Sequence, residues 1–177
     1  MLIAREKRKS NIAEYILYMW QVEDTIRAFG FDTGRLYREL ISSFEQPPDI
    51  LQEIREWYEN IAAHMINEKV EQSGHIQSVK NVVNELYDFH LYLLQQPGES
   101  VYSNLYAEVK PVVEEIRKGQ ATNDLESCLN VIYIYMMMRL QKKPVSKETG
   151  EAIRLFVRFL AILSARFKVY EEGEQTV

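Results

Sequence analysis

The sequence predicts an all-α protein, a compact single-domain bundle of six or seven helices over residues 1–177. Three observations support this. Apolar residues recur every three or four positions through long segments, which is the spacing of one helix face. The seven glycines and five prolines are few, and most of them fall between these segments, where they end helices. With 177 residues, 46% of them hydrophobic, the chain is long enough to bury one sizeable core.

The segment from Ser10 to Phe29 is predicted to form the central helix. Its apolar residues form a continuous stripe with further apolar cover beside it, and only a narrow polar seam remains. A helix covered this widely needs neighbours on two or three sides. Ser10 or Asn11 is expected to cap its start, and Gly30 to end it. The apolar positions are Ile12, Tyr15, Ile16, Leu17, Met19, Trp20, Val22, Ile26 and Phe29.

Four helices are expected to follow the central helix. Asp32 caps the first of them, and the adjacent Pro47 and Pro48 end it and begin the next. Pro111 lacks an amide donor, so the last of the four is expected to kink or to divide into two short helices, with Gly119 at its end. The four segments cover residues 32–44, 48–70, 75–94 and 100–118.

Two more helices complete the bundle. Asn123 and Glu126 have the spacing of a capping box, which predicts a sixth helix extending through three consecutive methionines. Because this helix is apolar all round, we expect it to have little exposed surface. Pro144 ends it, and a long final helix follows. A basic arm (1–9) and a short acidic tail (171–177) flank the helical domain.

The composition favours a cytoplasmic location. Cys128 is the single cysteine, so no internal disulfide can form and a reducing compartment is expected. Charge arrives after four residues, and no apolar run approaches the roughly 20 residues that span a bilayer. We therefore expect neither export nor a membrane location. The net charge of −5 gives no general attraction to nucleic acid.

A divalent metal site is the sharpest chemical hypothesis. His64 and Glu68 are one helical turn apart and can present two ligands from one face, with His90 on a neighbouring helix. The sequence contains neither the paired Glu-x-x-His pattern of di-iron bundles nor a His-Glu-x-x-His helix. The plainer interpretation makes these exposed helix residues, and we predict no cofactor.

A ligand pocket beside the first helix is a second hypothesis, with Glu14, Trp20, Glu23 and His90 as its candidates. His90 lies on the apolar stripe of its helix, so its ring is expected to be at least partly buried. It is then either a ligand or general base, or a core histidine satisfied by an acid such as Glu23. Arg27, one turn further along the helix, offers Glu23 an ordinary ion pair instead.

Two clusters are candidates for contact with a partner. A basic patch is expected around one connection, and solvated surface is its plainer interpretation. The tyrosines near Pro111 can form an aromatic interface or simply pack in the core. The basic patch consists of Arg139, Lys142, Lys143 and Lys147, and the tyrosines are Tyr92, Tyr102 and Tyr106.

The run EYILYMWQVED, from Glu14 to Asp24, lies within the opening MLIAREKRKSNIAEYILYMWQVEDTIRAF and is too unusual to follow from helix periodicity alone. The opening and the overall length resemble an uncharacterised bacterial family, known from Bacteroidetes and classed as a domain of unknown function. The resemblance covers nearly the whole chain. It implies a bacterial cytoplasmic helical protein and brings no activity or site residues.

The preferred functional hypothesis is a non-enzymatic helical bundle that acts as a homodimer or by binding a protein partner. Apolar and aromatic residues exceed what any recognisable chemistry needs. The alternative is a small-ligand or metal-binding enzyme with a pocket beside the first helix. Nucleic acid binding through the basic patch is the third hypothesis, and it conflicts with the acidic net charge.

Overall fold

The computed structural model describes residues 2–117 and 123–174, and these residues form helices and connections without a strand. The all-α class is therefore confirmed. A 3₁₀ turn, Ile41–Ser43, follows the third helix. The eight α-helices of the described residues are α1 (Leu2–Ser10), α2 (Ile12–Ala28), α3 (Thr33–Glu39), α4 (Pro48–Asn67), α5 (Gln77–Leu94), α6 (Ser100–Ile116), α7 (Asp124–Leu140) and α8 (Lys147–Glu174).

The expected number of helices, six or seven, is too low because the basic arm forms a helix of its own. Alanine, arginine and lysine are good helix formers, and the arm is long enough for more than two turns. Ala4 is buried at 6% exposure, and the Lys7 ammonium lies 2.9 Å from the Glu14 carboxylate of α2. A nine-residue, mostly polar segment with one buried residue is too short to form a stable helix by itself, so the sequence does not single it out.

The contacts divide the chain into two compact units. Unit 1 comprises Met1–Arg8 and Glu14–Val82, and unit 2 comprises Lys9–Ala13 and Val83–Val177. The three dividing points fall within α1, α2 and α5. Whether the whole chain acts as a single domain stays a prediction.

Unit 1 is organised around α2, whose buried side chains follow the predicted apolar stripe. Gly30 ends this helix with a positive φ of 61°, and Asp32 then caps α3 by accepting a hydrogen bond of 2.8 Å from the Arg35 amide. α3 and the 3₁₀ turn pack on α4. The core of unit 1 includes Ile16, Trp20, Ile26, Leu36, Ile41, Met65 and Ile76.

Unit 2 contains α6, α7 and α8, which pack on one another. Asn123 caps α7 as predicted, because its side-chain oxygen accepts a 2.8 Å hydrogen bond from the Glu126 amide. Each large apolar side chain buried in this core contributes roughly 1.5–3 kcal/mol to folding. The largest buried side chains of unit 2 are Leu86, Tyr102, Phe156, Phe159 and Phe167.

Three element predictions differ from the structure. α6 is one continuous helix that contains Pro111, so the helix does not divide there. α7 is buried only over its first half, since its neighbours cover residues 125–132 and leave Ile134 58% and Leu140 68% exposed. α8 continues to Glu174, so the first part of the acidic tail is helical. The predicted helix end at Gly119 and the tail residues 175–177 lie outside the described residues.

Among the helices of residues 2–117 and 123–174, none combines the length and the apolar character that crossing a lipid bilayer requires.

Candidate functional site

A fully buried carboxylate, Glu23, lies at the centre of unit 1 with an exposure of 0%. One carboxylate oxygen accepts a 2.9 Å hydrogen bond from the Ile76 amide, and the other lies 2.5 Å from His75 Nδ1. The His75 ring stacks on Trp20, with centroids 4.5 Å apart and an angle of 12° between the planes. Because both oxygens are bonded, Glu23 anchors the connection from α4 to α5 to the central helix.

Arg27 holds the same connection from the next turn of α2. Its guanidinium donates to the Val70 carbonyl at 3.0 Å and to the Gly74 carbonyl, and it pairs with Asp24 at 2.7 Å. The expected ion pair between Glu23 and Arg27 is therefore wrong. His75, near the end of the connection, is the partner of Glu23 in place of the arginine.

The four ligand-pocket candidates occupy different environments. Glu14 is exposed on α2 and bonded to Lys7. Trp20 and Glu23 are buried and share contact with His75. His90 belongs to unit 2. The structure therefore brings together two of the four candidates, and it adds His75, which sequence reasoning missed.

The metal candidates supply two neighbouring side chains. His64 Nδ1 lies 3.9 Å from the Glu68 carboxylate, and the His64 side chain is 64% exposed. The second Glu68 oxygen accepts a 2.5 Å hydrogen bond from the Gln77 amide. His90 is in unit 2, and within the described ranges no three histidine, cysteine, aspartate or glutamate side chains are grouped to hold a metal ion.

His90 is a core residue of unit 2, with an exposure of 1%. Its Nδ1 lies 2.5 Å from the Tyr102 hydroxyl, so its partner is a tyrosine and not the expected Glu23. The rings of Tyr106 and Phe159 pack edge-on against it at 4.5 and 5.6 Å. Burial lowers the His90 pKa to about 4, although the Asp124 charge opposes this shift. The imidazole is therefore neutral at pH 7.

The ionisable side chains near His90 either form hydrogen bonds with one another or, in the case of Cys128, keep their proton. The Tyr106 hydroxyl donates to the Asp124 carboxylate at 2.7 Å, and Arg117 pairs with the other oxygen of Asp124 at 3.0 Å. Burial, more than the Asp124 charge, raises the pKa of the Cys128 thiol far above its usual value. A thiol that keeps its proton is a poor nucleophile and a poor metal ligand.

An apolar cavity of about 160 Å³ opens on unit 1, between the start of α1 and the start of α4. Glu53 lies in its wall, and the exposed side chains of Glu45 and Asp49 belong to the adjoining segment. We refer to it as the acidic-rimmed cavity. Its lining residues are Leu2, Ile3, Phe44, Gln46, Ile50, Glu53 and Ile54.

A basic tip is exposed on unit 2 where α7 connects to α8. It contains the predicted basic patch, all four cations of which are exposed, and Leu140, which is 68% exposed. In the part of the chain that the structure describes, its three lysines form no ion pair. We define the basic tip as Arg139, Leu140, Lys142, Lys143 and Lys147.

An aromatic groove of about 400 Å³ lies between the ends of α5 and α8 in unit 2. Tyr92 and Tyr170 are 49% and 41% exposed in its wall. An interface and core packing were both open for the tyrosines near Pro111, and in the structure Tyr92 is exposed whereas Tyr102 is fully buried. Sequence reasoning missed Tyr170, which adjoins the segment interpreted as a tail. The groove is lined by Phe89, Tyr92, Leu93, Gln96, Gly98, Glu99, Arg166, Val169 and Tyr170.

Comparison with known proteins identifies a family without an assigned activity. Residues 1–174 match the family described as "Domain of unknown function (DUF4924)". No curated protein and no solved structure matches the chain.

Proposed function

Because the chain belongs to the DUF4924 family, which supplies no activity, we propose from its surfaces that it is a non-enzymatic protein that self-associates. One observation carries the proposal: the chain has both an apolar cavity with an acidic rim and an exposed leucine among four cations. The basic tip of one molecule then docks in the acidic-rimmed cavity of a second molecule.

Size and charge support this pairing. A water molecule takes up about 30 Å³ of the liquid, so a cavity of about 160 Å³ has room for an aliphatic side chain such as that of Leu140. Lysine and arginine side chains around the leucine face carboxylates such as Glu53 around the cavity. Complementary charges of this kind select the partner and speed the encounter.

The two surfaces differ, so the contact is heterologous. Repeating such a contact produces either a closed ring or an open chain of molecules. Each molecule offers one tip and one cavity, so association rises with protein concentration and weakens as salt screens the charges.

The buried chemistry supports a non-enzymatic role. Both oxygens of Glu23 are bonded, His90 is neutral at pH 7, and burial raises the pKa of the Cys128 thiol. None of these three groups is poised for proton transfer or nucleophilic attack. The competing metal-enzyme proposal has His64 and Glu68 as two neighbouring ligands.

We also propose a source and a cellular location for the protein. A bacterial source among the Bacteroidetes follows from the resemblance of the opening sequence. A cytoplasmic location is supported by the single cysteine, Cys128, which is a free thiol in the interior.

Substitution of Leu140 tests the proposal. Sedimentation velocity at low salt is expected to show concentration-dependent assemblies of the unaltered protein and only monomers of Leu140→Glu. Val101→Glu is the matched control, because Val101 is 67% exposed on α6 and lies outside both surfaces. Assemblies that persist in Leu140→Glu, or an unaltered protein that stays monomeric up to millimolar concentration, would rule the proposal out.

Nucleic acid binding at the basic tip is the competing use of the same lysines. It predicts that Lys142→Glu with Lys143→Glu abolishes binding to a duplex, and that binding weakens steeply with salt. Leu140→Glu separates the two uses, because loss of an apolar side chain disrupts docking in a cavity much more than contact with phosphates.

A further inference from the structure

Three aromatic rings form the wall of the aromatic groove. The Phe89 and Tyr170 centroids are 4.9 Å apart, and Tyr92 lies 6.0 Å from each of them. Phe89 is held from behind by an edge-on contact with the buried ring of Phe167 at 5.3 Å. The wall therefore presents aromatic faces and edges on a fixed support, and aromatic faces attract cations.

Glu99 supplies a carboxylate in the same groove. One of its oxygens is 3.2 Å from Arg166 Nε, and the other is buried and accepts no hydrogen bond from any described residue. Glu99 precedes the first residue of α6, yet its side chain does not cap that helix. A buried carboxylate oxygen without a donor is costly, so the site lacks one donor group.

We propose that the aromatic groove binds the primary ammonium group of a lysine side chain on a partner polypeptide. An ammonium carries three N–H donors and one positive charge. A rotation of the Glu99 carboxylate turns its covered, unbonded oxygen towards the groove, where the ammonium donates to it while the alkyl stem lies along Tyr92 and Tyr170. A trimethylated ammonium has no N–H to donate and does not meet this need.

The surroundings favour a singly charged group carried on a larger molecule. Arg166 lies on the other side of Glu99, so a second positive charge on the ligand is repelled. The groove is open and has a volume of about 400 Å³, more than a lysine side chain requires, which leaves room for the adjoining backbone. This inference goes beyond self-association and does not depend on it.

Titration with three small molecules tests the inference on the unaltered protein. Nα-acetyl-lysine methylamide is expected to cause saturable shifts in the ring NMR signals of Tyr92 and Tyr170. The norleucine analogue has a similar alkyl stem without the ammonium, and we expect about tenfold weaker binding. Cadaverine, a free diamine, is expected to bind no better than the lysine compound.

Two variants are expected to change the affinity for the lysine compound in opposite directions. Glu99→Gln keeps the shape of the side chain and removes its charge, so affinity for the lysine compound falls about tenfold. Arg166→Gln removes the neighbouring positive charge, so affinity rises about threefold. Glu108→Gln, an exposed substitution on α6, is the matched control and leaves affinity unchanged.

Equal binding of the lysine and norleucine compounds would overturn the inference, as would the absence of saturable shifts with either. These outcomes need no variant, so they remain decisive even if a substitution impairs folding. Cadaverine binding more than tenfold tighter than the lysine compound would overturn the polypeptide source and assign the groove to free diamines.

Discussion

Glu23 in unit 1 and Glu99 in unit 2 are both glutamates with a buried carboxylate oxygen, and their hydrogen bonding differs. Glu23 is fully buried, with an amide on one oxygen and a histidine on the other. Glu99 has an arginine on one oxygen and no donor on the second. The first carboxylate is saturated and holds the fold together. The second retains capacity for a ligand, because one of its oxygens lacks a donor and its side chain lines the aromatic groove.

The largest effect is expected when Glu23 is truncated. Glu23→Ala leaves His75 and the Ile76 amide without their acceptor, and each buried donor that loses its acceptor costs about 1–3 kcal/mol. Urea denaturation measures the loss in the free energy of unfolding. Glu14→Ala on the exposed side of α2 is the control and is expected to change stability by less than about 1 kcal/mol. A loss below about 1 kcal/mol for Glu23→Ala would contradict the structural role.

The second effect is a dependence of the free energy of unfolding on pH, which arises from His90. Its pKa is about 4 in the fold and about 6.5 when it is exposed by unfolding, so the unfolded chain binds the additional proton between these values. The contribution of His90 to the free energy of unfolding is therefore complete above pH 6.5. Up to about 3 kcal/mol of it is lost as the pH falls towards 4.

Comparison with His90→Gln isolates this contribution. The variant is less stable at neutral pH, since the bond to Tyr102 is disturbed, but its stability is expected to fall less steeply between pH 6.5 and 4. Free energies of unfolding measured at several pH values give both slopes. If the free energy of unfolding falls equally steeply with pH in the two proteins, His90 is not protected from protonation.

A smaller effect is expected at the partner of His90. Tyr102→Phe removes one hydroxyl from a fully buried ring and leaves the packing unchanged. The cost is about 1–3 kcal/mol, because His90 Nδ1 loses its partner. Tyr92→Phe, at an exposed tyrosine, is the control for the chemical change. Thermal unfolding measures both variants, and equal midpoints would mean that the buried hydroxyl contributes nothing.

The smallest effect on stability is expected at Glu99. Glu99→Gln weakens a pair whose arginine is half exposed, and such pairs contribute about 0–1 kcal/mol. The same isosteric change at Glu23 is expected to cost several times more. If Glu99→Gln destabilises the protein as much as Glu23→Gln, the difference between the two carboxylates has no functional meaning.

Most of the fold could be predicted from local patterns. The apolar spacing of α2, the cap at Asn123 and the turn at Gly30 act over a few residues, and each is visible in the sequence. The helix α1 was not predicted as a separate helix because a nine-residue polar segment is marginal as a helix without tertiary packing. The exposure of Ile134 was missed because an all-round apolar helix does not reveal where its neighbours end.

The sites were harder to predict because they depend on contacts between distant residues. Fifty-two residues separate Glu23 from His75, and no local pattern indicates that they pair. Glu99 follows a proline–glycine turn, and Tyr170 precedes an acidic tail, so both resembled ordinary connecting residues. The basic patch was visible in sequence, whereas the acidic-rimmed cavity is assembled from α1, α4 and the segment between α3 and α4.

A mixing experiment tests the proposed self-association most directly. Glu53→Lys alters the acidic-rimmed cavity, and Lys142→Glu with Lys143→Glu alters the basic tip. Each variant alone lacks one matched surface and is expected to be monomeric in native mass spectrometry. The mixture joins an intact tip to an intact cavity, so we expect heteromers that contain both variants. Monomers alone in the mixture, when the unaltered protein assembles under the same conditions, would contradict docking of the basic tip in the acidic-rimmed cavity.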